Sequence, residues 1–130
     1  MQVEILMKWL KSRKEIISNT CKDDDVRKAC IGCVDWVNSM LERNVFKGDI
    51  KKDILGFIKN VLRGSNIDIF ERMFFEELEL QISYGVFDSV DNCKKFTSMC
   101  KRFVESGLSH QEIFVVLQDR VSRGLSVGDL

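Results

Sequence analysis

Apolar residues recur along this chain at steps of three and four, with charged and polar residues between them. That is the period of an α-helix that buries one side. The only alternating run, Leu78, Leu80 and Ile82, has no second such run to pair with, and a lone strand would leave its backbone polar groups unsatisfied. Proline, which normally punctuates loops and sheet edges, is absent from the sequence, so helices and short connections remain. The pattern predicts an all-α, single-domain bundle of about six helices, mostly antiparallel because the connections are short.

The predicted helices cover residues 3–18, 24–43, 49–63, 67–84, 89–106 and 110–123. The first sets Ile5, Leu6, Trp9, Leu10, Ile16 and Ile17 against Lys8, Lys11, Lys14 and Glu15. The second begins at Asp23, Asp24 and Asp25, where carboxylates favour a helix N-terminus. It runs through Val26, Cys30, Cys33, Val37, Met40 and Leu41 to an end near Asn44. The third opens at Gly48 and Asp49 and carries Ile50, Ile54, Phe57, Ile58, Val61 and Leu62, with Gly64 as its left-handed cap. Ser65 to Asp68 restarts the chain into the fourth. Asp88 or Ser89 caps the fifth, whose buried side is Val90, Cys93, Phe96, Cys100 and Phe103, and Gly107 ends it. The sixth start has capping-box spacing at Ser109 and Glu112, with Leu108 and Ile113 at the hydrophobic-staple positions. Ile113, Val116, Leu117 and Val121 form its buried side, Gly124 closes it, and the bundle spans 1–124 with a tail, 125–130, expected to fray.

The fourth helix lies in the most apolar stretch of the chain, Ile67 to Phe87. Phe70, Met73, Phe74, Leu78 and Gln81 define its stripe, and Phe74 is expected in the core. Phe75, Leu80 and Ile82 fall off that stripe. A helix apolar on more than one side is either central in its domain or keeps the extra side for a partner. Phe75, Leu80 and Ile82, with Glu76 and Glu79 as an acidic rim, are therefore the candidate partner-binding residues, suited to a partner with basic edges. The alternative is that the other helices bury them.

At 130 residues the chain is long enough to bury a core without metal or disulfides. Its 45% hydrophobic and 31% charged content is that of a soluble globular protein. No apolar run approaches the ~20 residues that cross a bilayer, and the charged start MQVEILMKWLKSRK is not a secretory signal. The expected setting is intracellular, cytoplasmic or nuclear, without a membrane. Five cysteines, an odd number, fit reduced thiols there.

Charge is uneven along the chain. Residues 1–65 hold 13 Lys and Arg against 9 Asp and Glu, a net +4, and residues 66–130 hold 7 against 11, a net −4. Lys8, Lys11, Lys14, Arg27, Lys28, Lys51 and Lys52 are the candidate nucleic-acid-binding residues, although Asp49 and Asp53 interrupt them and Trp9 and Trp36 sit on or beside buried stripes. A homodimer pairing the two halves of opposite sign is a candidate assembly.

Little in the sequence carries chemistry. Cys30-Ile31-Gly32-Cys33 has redox-dithiol spacing but falls mid-helix on the apolar stripe, whereas an activated thiol needs an exposed helix N-terminus. Cys21, Cys30, Cys33 and His110, or Cys93 and Cys100, could be grouped as zinc ligands, but a second close pair is missing. Cys21, in a connection, is the thiol expected to alkylate. His110, the only histidine, stands beside a cap; neither a Gly-x-Ser-x-Gly elbow nor a phosphate-binding glycine loop is present. Glu76, Glu77 and Glu79 suggest paired carboxylates, but Glu76 and Glu79 read first as a solvated helix edge. The expectation is therefore no catalytic residues, no metal and no cofactor, and no family signature is recognised. The leading functional reading is a non-enzymatic protein-protein interaction or regulatory module with a protein partner. A nucleic-acid-binding protein using the basic first half is the alternative, and a small helical enzyme stands third.

Overall fold

Local capping and the helical period together set where each element begins. In the computed structural model, which describes residues 1–43, 48–64 and 66–129, the chain is all-α. The helices are α1 (Val3–Thr20), α2 (Asp24–Glu42), α3 (Ile50–Arg63), α4 (Ile69–Ser83), α5 (Val90–Glu105) and α6 (His110–Ser122), and a 3₁₀ turn covers Val127–Asp129. Among the described residues there is no strand. The expected end of the second helix near Asn44, the restart from Ser65 and the last tail residue, Leu130, lie outside the described residues.

Five starts carry a side-chain cap that accepts the orphan N–H groups of the first turn. Asp23 accepts from Asp25 and Val26, Asp49 from Lys52, and Ser89, not Asp88, from Asn92. Ser109 and Glu112 close the predicted capping box in both directions. At α4 the Asp68 carboxylate accepts from the Glu71 N–H at 2.9 Å, and Glu71 reaches back to the Asp68 N–H at 3.4 Å. The third helix corrects one expectation. Gly64 is extended (φ −67°, ψ 142°) and not left-handed, and its N–H bonds the Val61 carbonyl.

The chain gathers into two compact units, Val3–Glu76 and Met1–Gln2 with Glu77–Leu130, divided inside α4. In the first, α1 packs on α2. Leu6 and Leu10 are buried, but Ile16, expected on the same side, is exposed. At about 100° per residue Ile16 lies roughly 100° off the line through Leu6, Leu10 and Ile17. Three aromatic rings join α2, α3 and α4 edge to face: Trp36 is 5.2 Å from Phe57 and 5.8 Å from Phe75, and Phe57 is 6.4 Å from Phe75. Phe74 adds a fourth edge contact to Phe75 at 5.3 Å and is buried as expected.

The second unit is built around the turn that follows α4. Tyr84, Gly85, Val86 and Phe87 are all buried, so their backbone groups need internal partners. Their N–H groups find several of them within the helix end: Tyr84 donates to Leu80, Gly85 to Ile82 and Val86 to Gln81. Their carbonyls accept from Val127 (to Tyr84, 2.8 Å), from the Asn92 side chain (to Gly85, 2.9 Å) and from Gln2 (to Phe87, 2.8 Å). The Tyr84 hydroxyl accepts from Arg120 at 3.0 Å, and the Arg120 guanidinium lies over the Phe103 ring. The expected fraying of the tail is thereby corrected for its described residues, since Val127 is fully buried and held by the Tyr84 carbonyl.

Gly85 adopts φ +84°, and a Cβ there would meet Asp88 Oδ2 at 2.9 Å. Gly32, mid-α2, has open space around it. Gly85→Ala is expected to destabilise by about 1–3 kcal/mol through left-handed strain and crowding, whereas Gly32→Ala stabilises by roughly 0.5–1 kcal/mol. Urea unfolding of the two variants checks the pair. On the same assay Phe75→Ala should cost about 3–5 kcal/mol, and Phe70→Ala, at an exposed position, less than about 1 kcal/mol.

Candidate interaction surfaces

The side of α4 that faces inward is not the one a stripe beginning at Phe70 implies. Taking Phe74 as zero and about 100° per residue, Gln81, Leu78, Ile82 and Phe75 span an arc of roughly 120°. All of these are buried. Met73 and Ile69 lie on the far side of the helix and Phe70 at the edge of the buried arc. Their exposures are 55% for Met73, 66% for Ile69 and 40% for Phe70. The proposed partner surface on Phe75, Glu76, Glu79, Leu80 and Ile82 is corrected accordingly: Phe75 and Ile82 are 0% and 1% exposed, and Leu80, Glu76 and Glu79 are half-buried. The apolar surface of α4 instead belongs to its first turns, at Ile69, Phe70 and Met73.

Two carboxylates, Asp68 and Glu71, sit at the start of α4, and Glu71 falls on the same side of the helix as Phe75 and Leu78. The Glu71 backbone N–H holds the Asp68 carboxyl below its usual range, and sharing a hydrogen bond with Asp68 pushes the Glu71 carboxyl up. Trp36 on α2 is 45% exposed although its ring edges contact Phe57 and Phe75, so the expectation that it is simply core is corrected.

The seven basic residues singled out in the first half are only partly brought together. Lys8, Lys11 and Lys14 line one groove between α1 and α2, but Asp35, Asn38 and Glu42 line it too, and Lys14 pairs with Asp35 at 2.8 Å. Arg27 is tied to Asp24 and to the Cys21 carbonyl. Lys28 and Lys52 are exposed and Lys51 half-buried on their own helices, and these four cations are not among the residues lining the groove.

A basic surface that the sequence reading missed lies on α5. Lys94, Lys95, Ser98, Lys101, Arg102 and Glu105 line a shallow groove along one side of the helix, next to the side on which Met99 is buried. Lys95 pairs with Asp91 at 3.4 Å. Among the described residues, Lys94, Lys101 and Arg102 form no ion pair. The signal was present as KKFTSMCKR, with cations seven residues apart, but the net −4 of the second half concealed it.

The thiols do not assemble into a reactive centre. Burial, then the nearby Glu71, Cys30 and Asp68, push the Cys33 thiol up to about 12, the opposite of an activated thiolate. Burial also raises Cys93, and burial with Glu77 raises Cys100. No cluster of three or more His, Cys, Asp or Glu side chains with metal-binding geometry occurs among the described residues, and His110 is exposed at the first position of α6. Among those residues no helix is long and apolar enough to cross a membrane. Compared with protein-family models, curated proteins and solved structures, the chain matches none.

With so little thiolate at neutral pH, Cys33 should be the last of the five cysteines to react with iodoacetamide in the folded protein, and Cys21, whose thiol donates a weak bond to the Asp23 carbonyl, the first. Peptide mass spectrometry after timed alkylation reads the order.

Proposed function

We propose that the chain is a non-enzymatic protein-protein interaction or regulatory module, with the first turns of α4 as its contact surface. The observation that carries this reading is the exposure of three large apolar side chains, Ile69, Phe70 and Met73, within five residues of one helix. Clustered exposed apolar side chains mark docking surfaces, whereas isolated ones are ordinary. A Phe and a Met suit this role, since aromatic residues and Met are enriched at the centres of interfaces.

The test separates surface from core. Phe70→Glu combined with Met73→Glu should leave the circular-dichroism spectrum and unfolding midpoint near those of the wild type. The same variant should abolish whatever specific association the wild type shows, read as molar mass by light scattering for a second copy and as quantitative affinity capture for other proteins. A folded double variant that keeps the wild-type molar mass and capture profile would remove this surface from the proposal.

A further inference from the structure

We propose that the exposed face of α5 is a contact surface for the phosphate backbone of nucleic acid, independent of the apolar surface on α4. At about 100° per residue, Lys94, Lys95, Ser98, Lys101 and Arg102 fall within one arc of roughly 120°. The centre of that arc lies roughly 130° around the helix from the mean direction of Phe96, Met99 and Phe103, of which Met99 is buried. Asp91 and Glu105 bound the face at its two ends, and no carboxylate interrupts it from 94 to 102. Asp91 neutralises Lys95, leaving Lys94, Lys101 and Arg102 as cations without an ion pair among the described residues.

Two features favour a nucleic-acid backbone over an acidic protein. Among the described residues the groove is lined by four cations, a hydroxyl and one carboxylate, with no apolar or aromatic side chain. A protein interface draws its affinity from a desolvated apolar centre and gains little from charges at its rim. Phosphate binding needs no such centre, because displaced counterions supply the driving force. Spacing agrees, since Lys94 and Lys101 are separated by about 10 Å along the helix axis, roughly three nucleotide steps of a strand. The absence of aromatic residues from this face predicts backbone contact without base readout. The groove on α1 and α2 provides the contrast, because Asp35 and Glu42 share it with the lysines.

The experiment measures fluorescence anisotropy of a labelled duplex DNA of mixed sequence against salt concentration. Three phosphate contacts predict a slope of log affinity on log salt of about −2.7, a loss of roughly 40-fold between about 50 and 200 mM salt, with no sequence preference. Lys94→Gln with Lys101→Gln and Arg102→Gln should remove that binding while circular dichroism stays unchanged, and Lys8→Gln with Lys11→Gln and Lys14→Gln should leave it intact. Should the α5 triple variant misfold, Lys101→Gln alone decides, since it should reduce the slope by about one. Absence of salt-dependent binding, binding that survives the α5 substitutions, or loss on the α1 substitutions alone each overturns the proposal. Equal or tighter binding of polyglutamate of matched charge also overturns it, in favour of an acidic protein partner.

Discussion

The unit formed by Met1–Gln2 and Glu77–Leu130 depends on placing an irregular, fully buried turn, Tyr84 to Phe87, without leaving its backbone polar groups unpaired. A loop taken out of water usually fails this condition, because each orphaned N–H or C=O costs the free energy of a lost hydrogen bond. Here three carbonyls are met from three places: the 3₁₀ turn through Val127, the first turn of α5 through Asn92, and the N-terminal segment through Gln2. The condition that buries the turn thus also fixes where segments remote in sequence must lie. Gly85 belongs to the same constraint, since its backbone is left-handed and a Cβ there would require the Asp88 carboxylate to shift.

In the Val3–Glu76 unit the corresponding organiser is the ring cluster of Trp36, Phe57, Phe74 and Phe75. Edge-to-face contact orients the rings as well as burying them. Turning Phe75 inward places Ile69 and Met73, which sit across the helix from it, toward solvent. The apolar surface that supports the interaction reading is therefore a geometric consequence of how the core is filled.

Charge is distributed in a way that totals conceal. The first half is net positive, yet its lysine groove is shared with Asp35 and Glu42 and one of its lysines is paired. The second half is net negative, yet α5 presents cations over more than two turns without an intervening carboxylate. Electrostatic contact is decided within about a Debye length, roughly 10 Å, and on one helix face at that range the neighbours at three and four residues matter more than the sum over half a chain.

By itself the sequence determined the secondary structure. Six helices, most of their ends and the Ser109–Glu112 capping box follow from interactions that close within four residues, so no distant partner is needed to predict them. It also placed Leu6 and Leu10 on the buried side of α1, although Ile16 and Val90, expected on the buried sides of their helices, are exposed. Tertiary structure alone decided the orientation of α4, because a helix apolar on most of its circumference specifies no unique inner side and the neighbours choose which arc to cover. That choice moved the candidate surface from Phe75, Leu80 and Ile82 to Ile69, Phe70 and Met73. Tertiary structure likewise decided the fate of the tail. Nothing near Val127 in sequence shows that its N–H would find the Tyr84 carbonyl, a partner that exists only once the turn after α4 has been buried.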